Sequence, residues 1–250
     1  AETGGYGGPN GSNEGPFKYN LQFSELSIRQ AFIRKVFTLV GIMLGTVAFI
    51  SALPYIFPSF GDYLNPTKTP GSGKLGIFYG SYAAFMVTYI ALICCESVRR
   101  SSPMNIIVTG IFTAATGFMT MCITSQYNTE SVLLALIITT AACGAIIIFA
   151  MQTKYDITSC MGIAFGLSIF LLLFGLVAMI AGFIFHVRWM MTVYAGLGAL
   201  VFMLFLAIDI QMLMGGRQLE MSPEDHIFAA IQIFIDIVQI FWFILSIFGS

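Results

Sequence analysis

The sequence predicts an all-α, polytopic membrane protein built as a bundle of seven transmembrane helices. Of its 250 residues, 58% are hydrophobic and only 9% are charged, whereas about a quarter of the residues in soluble domains are charged. Seven apolar runs are each close to the roughly 20 residues that a helix needs to cross a bilayer. The net charge of −1 argues against a nucleic-acid partner.

The chain divides into a tail and a single membrane domain. Residues 1–20 are rich in glycine, proline and asparagine, which predicts a disordered tail. Residues 21–250 are expected to form one transmembrane domain, with a loop at 58–75, where prolines and glycines cluster. The spans are expected at residues 36–57, 76–95, 104–124, 131–151, 160–185, 189–214 and 226–248.

The distribution of lysine and arginine predicts the orientation of the bundle. Short cytosolic loops carry an excess of basic residues, so the side with more of them should be cytosolic. With the N-terminus inside, eight basic residues face the cytosol and three face the other side. The eight are Lys18, Arg29, Arg34, Lys35, Arg99, Arg100, Lys154 and Arg217, and the three are Lys68, Lys74 and Arg188. We therefore expect a cytosolic N-terminus and a lumenal or extracellular C-terminus, which argues against a G-protein-coupled receptor.

Polar side chains follow one face of span three. They lie at steps of three or four residues, so they share a helical face. They are Asn105, Thr109, Thr113, Thr116 and Thr120. Two interpretations stay open: the hydroxyls bond back to carbonyls of their own helix, or the face lines the bundle interior or a water path.

Span seven carries a second polar stripe, formed by Gln232, Asp236, Gln239 and Ser246. The helix should begin after an N-cap at Ser222, with proline and two acids in the first turn. The preceding span should end at its glycine pair, 215–216. Small-residue motifs at 41–45 and 162–166 indicate close helix contacts.

Spans six and seven each carry one carboxylate inside an apolar run, Asp209 and Asp236. A charge in hydrocarbon costs several kcal/mol, so each acid is a candidate functional residue. The two spans form an antiparallel hairpin, but the acids lie about five and ten residues from its inner ends, so spacing alone does not prove contact. If they meet, like-charge repulsion and desolvation favour one shared proton. Two ionised carboxylates would attract a hard cation such as Ca²⁺, and the alternative is a purely structural pair.

No enzyme is predicted, because the sequence offers no nucleophile–base constellation, no glycine-rich phosphate loop and no histidine cluster. No cofactor is expected either. The five cysteines, Cys94, Cys95, Cys122, Cys143 and Cys160, lie in or beside apolar runs. Their number is odd, so they predict packing residues and no disulfide framework.

Six stretches resemble the transmembrane Bax inhibitor motif family, and most closely its Lifeguard branch. They cover nearly the whole chain from about residue 20. They are SIRQAFIRKVF at 27–37, RRSSPMNII at 99–107, QYNTESV at 126–132, MQTKYDITSCMG at 151–162, AIDIQMLMGGRQLEMSPEDHIFAA at 207–230 and IFIDIVQIF at 233–241.

The resemblance implies a fold and a set of site residues. Six helices would surround a central seventh, and a di-aspartyl pH sensor would fall on Asp209 and Asp236. A basic residue at the end of helix two, Arg99 or Arg100, would latch that pair. Such proteins are described as pH-sensitive Ca²⁺ leak channels of intracellular membranes and as suppressors of cell death.

Three functional hypotheses follow. The first is a Ca²⁺ leak channel of the endoplasmic reticulum, Golgi or endolysosome, or of the plasma membrane, gated by protonation of the aspartates. Its path would be lined or supported by Gln232, Gln239, Asn105, Thr109, Thr113 and Thr116. The second is a non-conducting scaffold that restrains death signalling through apoptosis-regulating membrane proteins. The third is a proton-coupled Ca²⁺ exchanger.

Overall fold

The structure is a computed structural model that describes residues 14–57, 59, 73–185 and 189–248. Most of the predicted tail, most of the loop at 58–75 and the turn at 186–188 lie outside the described residues. So do the side chains of Lys18, Lys68, Lys74 and Arg188, on which part of the predicted orientation depends.

Seven long helices account for most of the described residues. They are α1 Glu14–Ile56, α2 Gly73–Cys94, α3 Met104–Thr124, α4 Thr129–Gln152, α5 Met161–Phe185, α6 Trp189–Met214 and α7 His226–Phe248. A short helix, Glu96–Arg100, joins α2 to α3, and 3₁₀ turns at Ile157–Cys160 and Pro223–Asp225 precede α5 and α7. All seven are long and apolar enough to cross a membrane, and no strand occurs among the described residues. The predicted fold class is therefore confirmed.

Helix boundaries follow local sequence signals, except at the start of α1. The α6 helix ends at Met214, and Gly215 and Gly216 adopt φ values of 75° and 74°, a region that favours glycine. Before α7, the Ser222 hydroxyl accepts a hydrogen bond from the Glu224 amide, as predicted for an N-cap. The α1 helix begins at Glu14, far before the predicted residue 36, because the polar segment before the apolar run is also helical.

Two clusters of buried apolar side chains hold the bundle together. One joins α1, α4, α6 and α7 and includes Val36, Leu206 and Ile240. The other joins α1, α2, α3 and α7, where the rings of Phe112 and Phe234 meet edge to face at 5.7 Å. The α7 helix contributes to both clusters and packs against α1, α3, α4 and α6. Its central position stays a prediction.

Close helix contacts occur at glycines other than those in the predicted motifs. A Cβ atom at Gly198 of α6 would lie 2.5 Å from the Phe243 ring of α7, and one at Gly117 of α3 would lie 2.8 Å from Ile50 of α1. Helices in lipid associate largely through such close packing. At these two glycines the neighbouring helix therefore leaves no room for a side chain.

The small-residue motifs predicted from sequence do not form helix contacts. A Cβ atom at Gly41, Gly45, Gly162 or Gly166 would meet nothing within 4 Å. The prediction was wrong because spacing shows only that two glycines share a helical face. Which face packs against a neighbour depends on the rotation of the whole helix.

Candidate functional site

The structure brings the two membrane carboxylates together. Asp209 on α6 and Asp236 on α7 are only 3% and 6% exposed, and their carboxyl groups lie close enough to share a hydrogen bond. Such a bond needs one proton, and the carboxyl group that holds this proton is the donor. The second oxygen of Asp236, Oδ2, is buried and has no hydrogen-bond partner among the described residues.

Side chains from two further helices lie within electrostatic range of the pair. The Tyr89 phenol on α2 lies within electrostatic range of both carboxyl groups. The Cys143 thiol on α4 lies within electrostatic range of Asp236, and this cysteine is buried and free. Four helices thus converge on one acidic pair in the apolar part of the bundle.

The polar stripe of α3 satisfies both interpretations that the sequence left open. All five of its side chains are buried, and the hydroxyls of Thr113, Thr116 and Thr120 donate to carbonyls of their own helix at 2.8 Å. Thr120 also accepts a hydrogen bond of 3.1 Å from the Trp242 indole of α7. The Thr109 hydroxyl is buried without a hydrogen-bond partner in the part of the chain that the structure describes.

The remaining residues predicted to line the ion path make few polar contacts. Asn105 is buried, and its side-chain oxygen accepts a hydrogen bond from the Ile106 amide at 2.7 Å. Gln232 and Gln239 on α7 are half-buried. No polar partner is assigned to either glutamine among the described residues.

The predicted arginine latch does not reach the aspartate pair in this structure. Arg100 forms a two-pronged ion pair with Asp225, at 3.1 and 3.2 Å, and the Nε of Arg99 lies 3.4 Å from the same carboxylate. The physical reason is depth, because Asp236 lies eleven residues further along α7, or about 16 Å at 1.5 Å per residue. The end of α2 lies beside the start of α7, so both arginines meet the nearer acid. Arg99 also stacks over the ring of Phe228, 5.0 Å from its centre.

A cavity of about 790 Å³ lies between α1, α3, α4 and α7. Its walls include Thr120 and Cys143, whose thiol lies within electrostatic range of Asp236. Two of its lining hydroxyls, those of Ser51 and Thr139, are buried and have no hydrogen-bond partner within the described ranges. Unpaired buried hydroxyls are rare, and these two leave oxygen atoms free to bind a ligand in an otherwise apolar cavity.

Sequence reasoning missed a buried glutamine that ties α6 to the α4–α5 connection. Gln211 is 1% exposed, and its side-chain oxygen accepts a hydrogen bond from the Ile157 amide at 2.7 Å. Its nitrogen donates to the Tyr155 carbonyl at 2.9 Å and to the Ala150 carbonyl at 3.4 Å. The signal available was a glutamine in an apolar run, two residues after Asp209.

Polar contacts join all the connections at one end of the bundle, which we call the basic face. It comprises residues 95–103, 153–160 and 215–225 together with the part of α1 around Arg29. Arg29 pairs with Glu220 at 2.6 Å, and Arg217 donates to the carbonyls of Lys154 and Thr153 at 2.9 and 2.6 Å. Hydrogen bonds from the Thr158 hydroxyl and then from the Gln218 amide lower the pKa of Asp156.

Comparisons with known proteins agree with this architecture. A family model described as "Inhibitor of apoptosis-promoting Bax1" matches residues 29–250. The chain is 41% identical to Protein lifeguard 3 of Homo sapiens over 230 residues, which cover 92% of this chain and 71% of that protein. Identity to Protein lifeguard 3 of Mus musculus is 40%, covering 92% and 72%. Identity to Protein lifeguard 4 of Mus musculus is 27% over 246 residues, covering 96% and 94%.

The seven apolar helices and these matches define a multi-pass membrane protein. The chain belongs to the Bax inhibitor motif family, and the lifeguard proteins are among its relatives, as the sequence resemblance predicted.

Proposed function

We propose that the protein is a Ca²⁺ leak channel of intracellular membranes that suppresses apoptosis and is gated by protonation of Asp209 and Asp236. The single observation that carries the proposal is the direct contact of two buried carboxyl groups from neighbouring membrane helices. Intramembrane acids are rare and typically mark ion or proton pathways. The link to apoptosis rests on the description of the matching family.

The gating step is a change of charge. With one shared proton the pair carries a single negative charge, and loss of that proton leaves two adjacent negative charges in a low-dielectric site. Ca²⁺ is a hard cation that takes oxygen ligands, so the doubly ionised pair attracts it. Protonation removes this attraction, and the proposed leak therefore rises with pH.

The cavity between α1, α3, α4 and α7 supports a route to the pair. Its unpaired hydroxyls, on Ser51 and Thr139, supply oxygen atoms along an otherwise apolar wall. Cys143 lines the cavity and lies within electrostatic range of Asp236. A cation that entered here would meet neutral oxygens first and the acidic pair last.

The orientation is part of the proposal. The described basic side chains of the connections, with those of α1, favour the basic face as the cytosolic side. The cavity with the free hydroxyls runs from Leu44 on α1 and Ile147 on α4, inside the membrane, to Tyr55 and Thr129 at the ends of these helices away from the basic face, so it would open toward the lumen.

Ca²⁺ flux into liposomes that contain the purified chain, measured from pH 5 to 8, tests the proposal. Wild type should show a flux that changes by up to about tenfold per pH unit, the limit for one gating proton. Asp209→Asn and Asp236→Asn should abolish that dependence. Glu25→Gln, an exposed acid on α1, removes a charge away from the pair and should behave as wild type.

Three outcomes would overturn parts of the proposal. Unchanged pH dependence in both asparagine variants would remove the gate. No flux above empty liposomes at any pH would favour the non-conducting scaffold. Proton flux strictly coupled to Ca²⁺ flux would identify an exchanger.

A further inference from the structure

A second cavity, of about 1010 Å³, lies between the middle of α1, the start of α3 and the first turn of α7. It is separate from the acidic pair, which is absent from its lining. Its walls change character with depth, from charged side chains at the basic face to aliphatic side chains within the membrane. Such a gradient fits an amphiphilic ligand.

The shallow end of this cavity carries positive charge that no acid among the described residues neutralises. Arg34 and Lys35 line it and are exposed, and no ion pair is assigned to either side chain within the described ranges. His226 also lines the cavity, within electrostatic range of Lys35. A Ca²⁺ ion would be repelled here, whereas an anionic group would be attracted.

The deep end is mostly apolar, since the hydroxyls of Thr38 and Thr46 donate to carbonyls of their own helix, and it has the length of half a bilayer. The lining runs along α1 from Lys35 to Thr46, eleven residues or about 16 Å at 1.5 Å per residue. One leaflet of a hydrocarbon core is about 15 Å thick. Leu39, Ile42 and Met43 line this part, and a hydrocarbon chain packed along them would lie parallel to the helices.

One buried polar atom indicates that the middle of the cavity also binds a polar group. The Thr109 hydroxyl lines the cavity, and it has no hydrogen-bond partner among the described residues. The residue is only 6% exposed. An ester or phosphate oxygen placed between the cationic end and the apolar end would accept a hydrogen bond from this hydroxyl.

We propose that this cavity binds an anionic phospholipid from the leaflet at the basic face. The phosphate group lies against Arg34 and Lys35, the glycerol ester region against the Thr109 hydroxyl, and an acyl chain along α1. The site has positive charge at one end and a mostly apolar wall as long as one leaflet at the other. These two features favour a lipid over a free anion.

Native mass spectrometry of the full chain in detergent tests the site. The probes are dioleoylphosphatidylserine, dioleoylphosphatidylcholine with the same tails, and glycerophosphoserine, which has no tails. Phosphatidylserine should bind in preference to phosphatidylcholine, and glycerophosphoserine should not displace it. Arg34→Gln and Lys35→Gln should each weaken phosphatidylserine binding about fivefold.

Two glycines provide a matched pair of steric variants. Gly110 lines this cavity, and Gly144 lines the cavity between α1, α3, α4 and α7. A Cβ atom at either position would meet nothing within 4 Å. Gly110→Leu therefore adds a side chain to the wall of the proposed lipid site from a Cβ position that is free of neighbours, and it should reduce phosphatidylserine binding at least fivefold. Gly144→Leu should leave it unchanged. Lys154→Gln, an exposed basic residue elsewhere on the basic face, is the charge control.

Equal phosphatidylserine binding by Gly110→Leu and Gly144→Leu would overturn the proposal, as would equal losses in Lys154→Gln and Arg34→Gln. Equal losses in the two charge variants would mean that the lipid is attracted to the whole basic face and not to this cavity. Displacement by glycerophosphoserine at the concentration of the lipid would identify a free-anion site. If Gly110→Leu does not fold, the exposed charge variants alone still decide the outcome.

Discussion

Replacement of Gln211 by methionine should loosen the connection between α4 and α5 while preserving the packing of α6. Methionine is close to glutamine in length and volume, so it leaves little empty space. It removes the acceptor of the Ile157 amide and the donor to the Tyr155 carbonyl. Tyr155 is 82% exposed, so water can replace the hydrogen bond to its carbonyl.

The main cost therefore falls on the Ile157 amide. A buried donor left without an acceptor costs about 1–3 kcal/mol, and we take about 2 kcal/mol as the expected loss of unfolding free energy. For a chain of this size, 1 kcal/mol shifts the melting temperature by roughly 2–4 °C. The expected decrease is thus about 4–8 °C.

Two measurements should change together. Thermal unfolding in detergent should show the lower melting temperature, and hydrogen–deuterium exchange should show faster opening at Ile157. A loss of about 2 kcal/mol corresponds to roughly 30-fold faster exchange. Gln239→Met, which changes a half-buried glutamine of α7, is the control and should alter neither quantity.

The reasoning would be refuted if Gln211→Met and Gln239→Met melted within about 1 °C of each other and exchange at Ile157 were unchanged. That result would mean that the buried amide contributes no more than an apolar side chain of equal size. Faster exchange throughout the chain, in place of a local change, would also contradict it.

Two further predictions concern packing and pH. Gly198→Ala should lower the unfolding free energy by about 1–3 kcal/mol, because the added methyl group would overlap the Phe243 ring. The control, Gly41→Ala, has open space around it and should be neutral or slightly stabilising. Equal melting temperatures for the two variants would contradict the contact between Gly198 and Phe243. Asp156→Asn should lower the melting temperature at pH 7. The folded protein holds the pKa of this carboxyl below its ordinary value, so its contribution is fully present above about pH 4 and is lost as pH falls further. The difference between variant and wild type should therefore narrow toward pH 3, and a constant difference would contradict the assigned charge effect.

Much of the fold could be predicted from the sequence, because hydrocarbon leaves few alternatives. Every backbone polar group in the bilayer must be satisfied within its own segment, so apolar runs of sufficient length form helices. Six of the seven predicted spans agree closely with the helices in the structure. The exception, α1, extends to Glu14 through a polar segment that hydropathy cannot identify as helical.

The acidic pair was only partly predictable. Two carboxylates in neighbouring helices identified Asp209 and Asp236, but whether they meet depends on helix rotation and tilt, which spacing does not determine. The contact of Arg99 and Arg100 with Asp225 depends on depth. This contact arises because the end of α2 lies beside the start of α7, which the sequence does not reveal.

Gln211 escaped prediction for a geometric reason. It follows Asp209 by two residues, which places it about 200° further around α6 at 100° per residue. A search for polar residues that share the face of the carboxylate therefore passes over it. Its partners are backbone groups of a distant connection, and the identity of a side chain does not reveal such groups.

The ion pair between Arg29 and Glu220 has a consequence for biosynthesis. Its partners are 191 residues apart in the chain, and translation adds about 5–20 residues per second. Roughly 10–40 s therefore separate the synthesis of the arginine from that of its acid. During this interval the first helix has been synthesised but lacks its contact with the last hairpin. The ion pair can therefore form only after the final two helices have packed against the rest of the bundle.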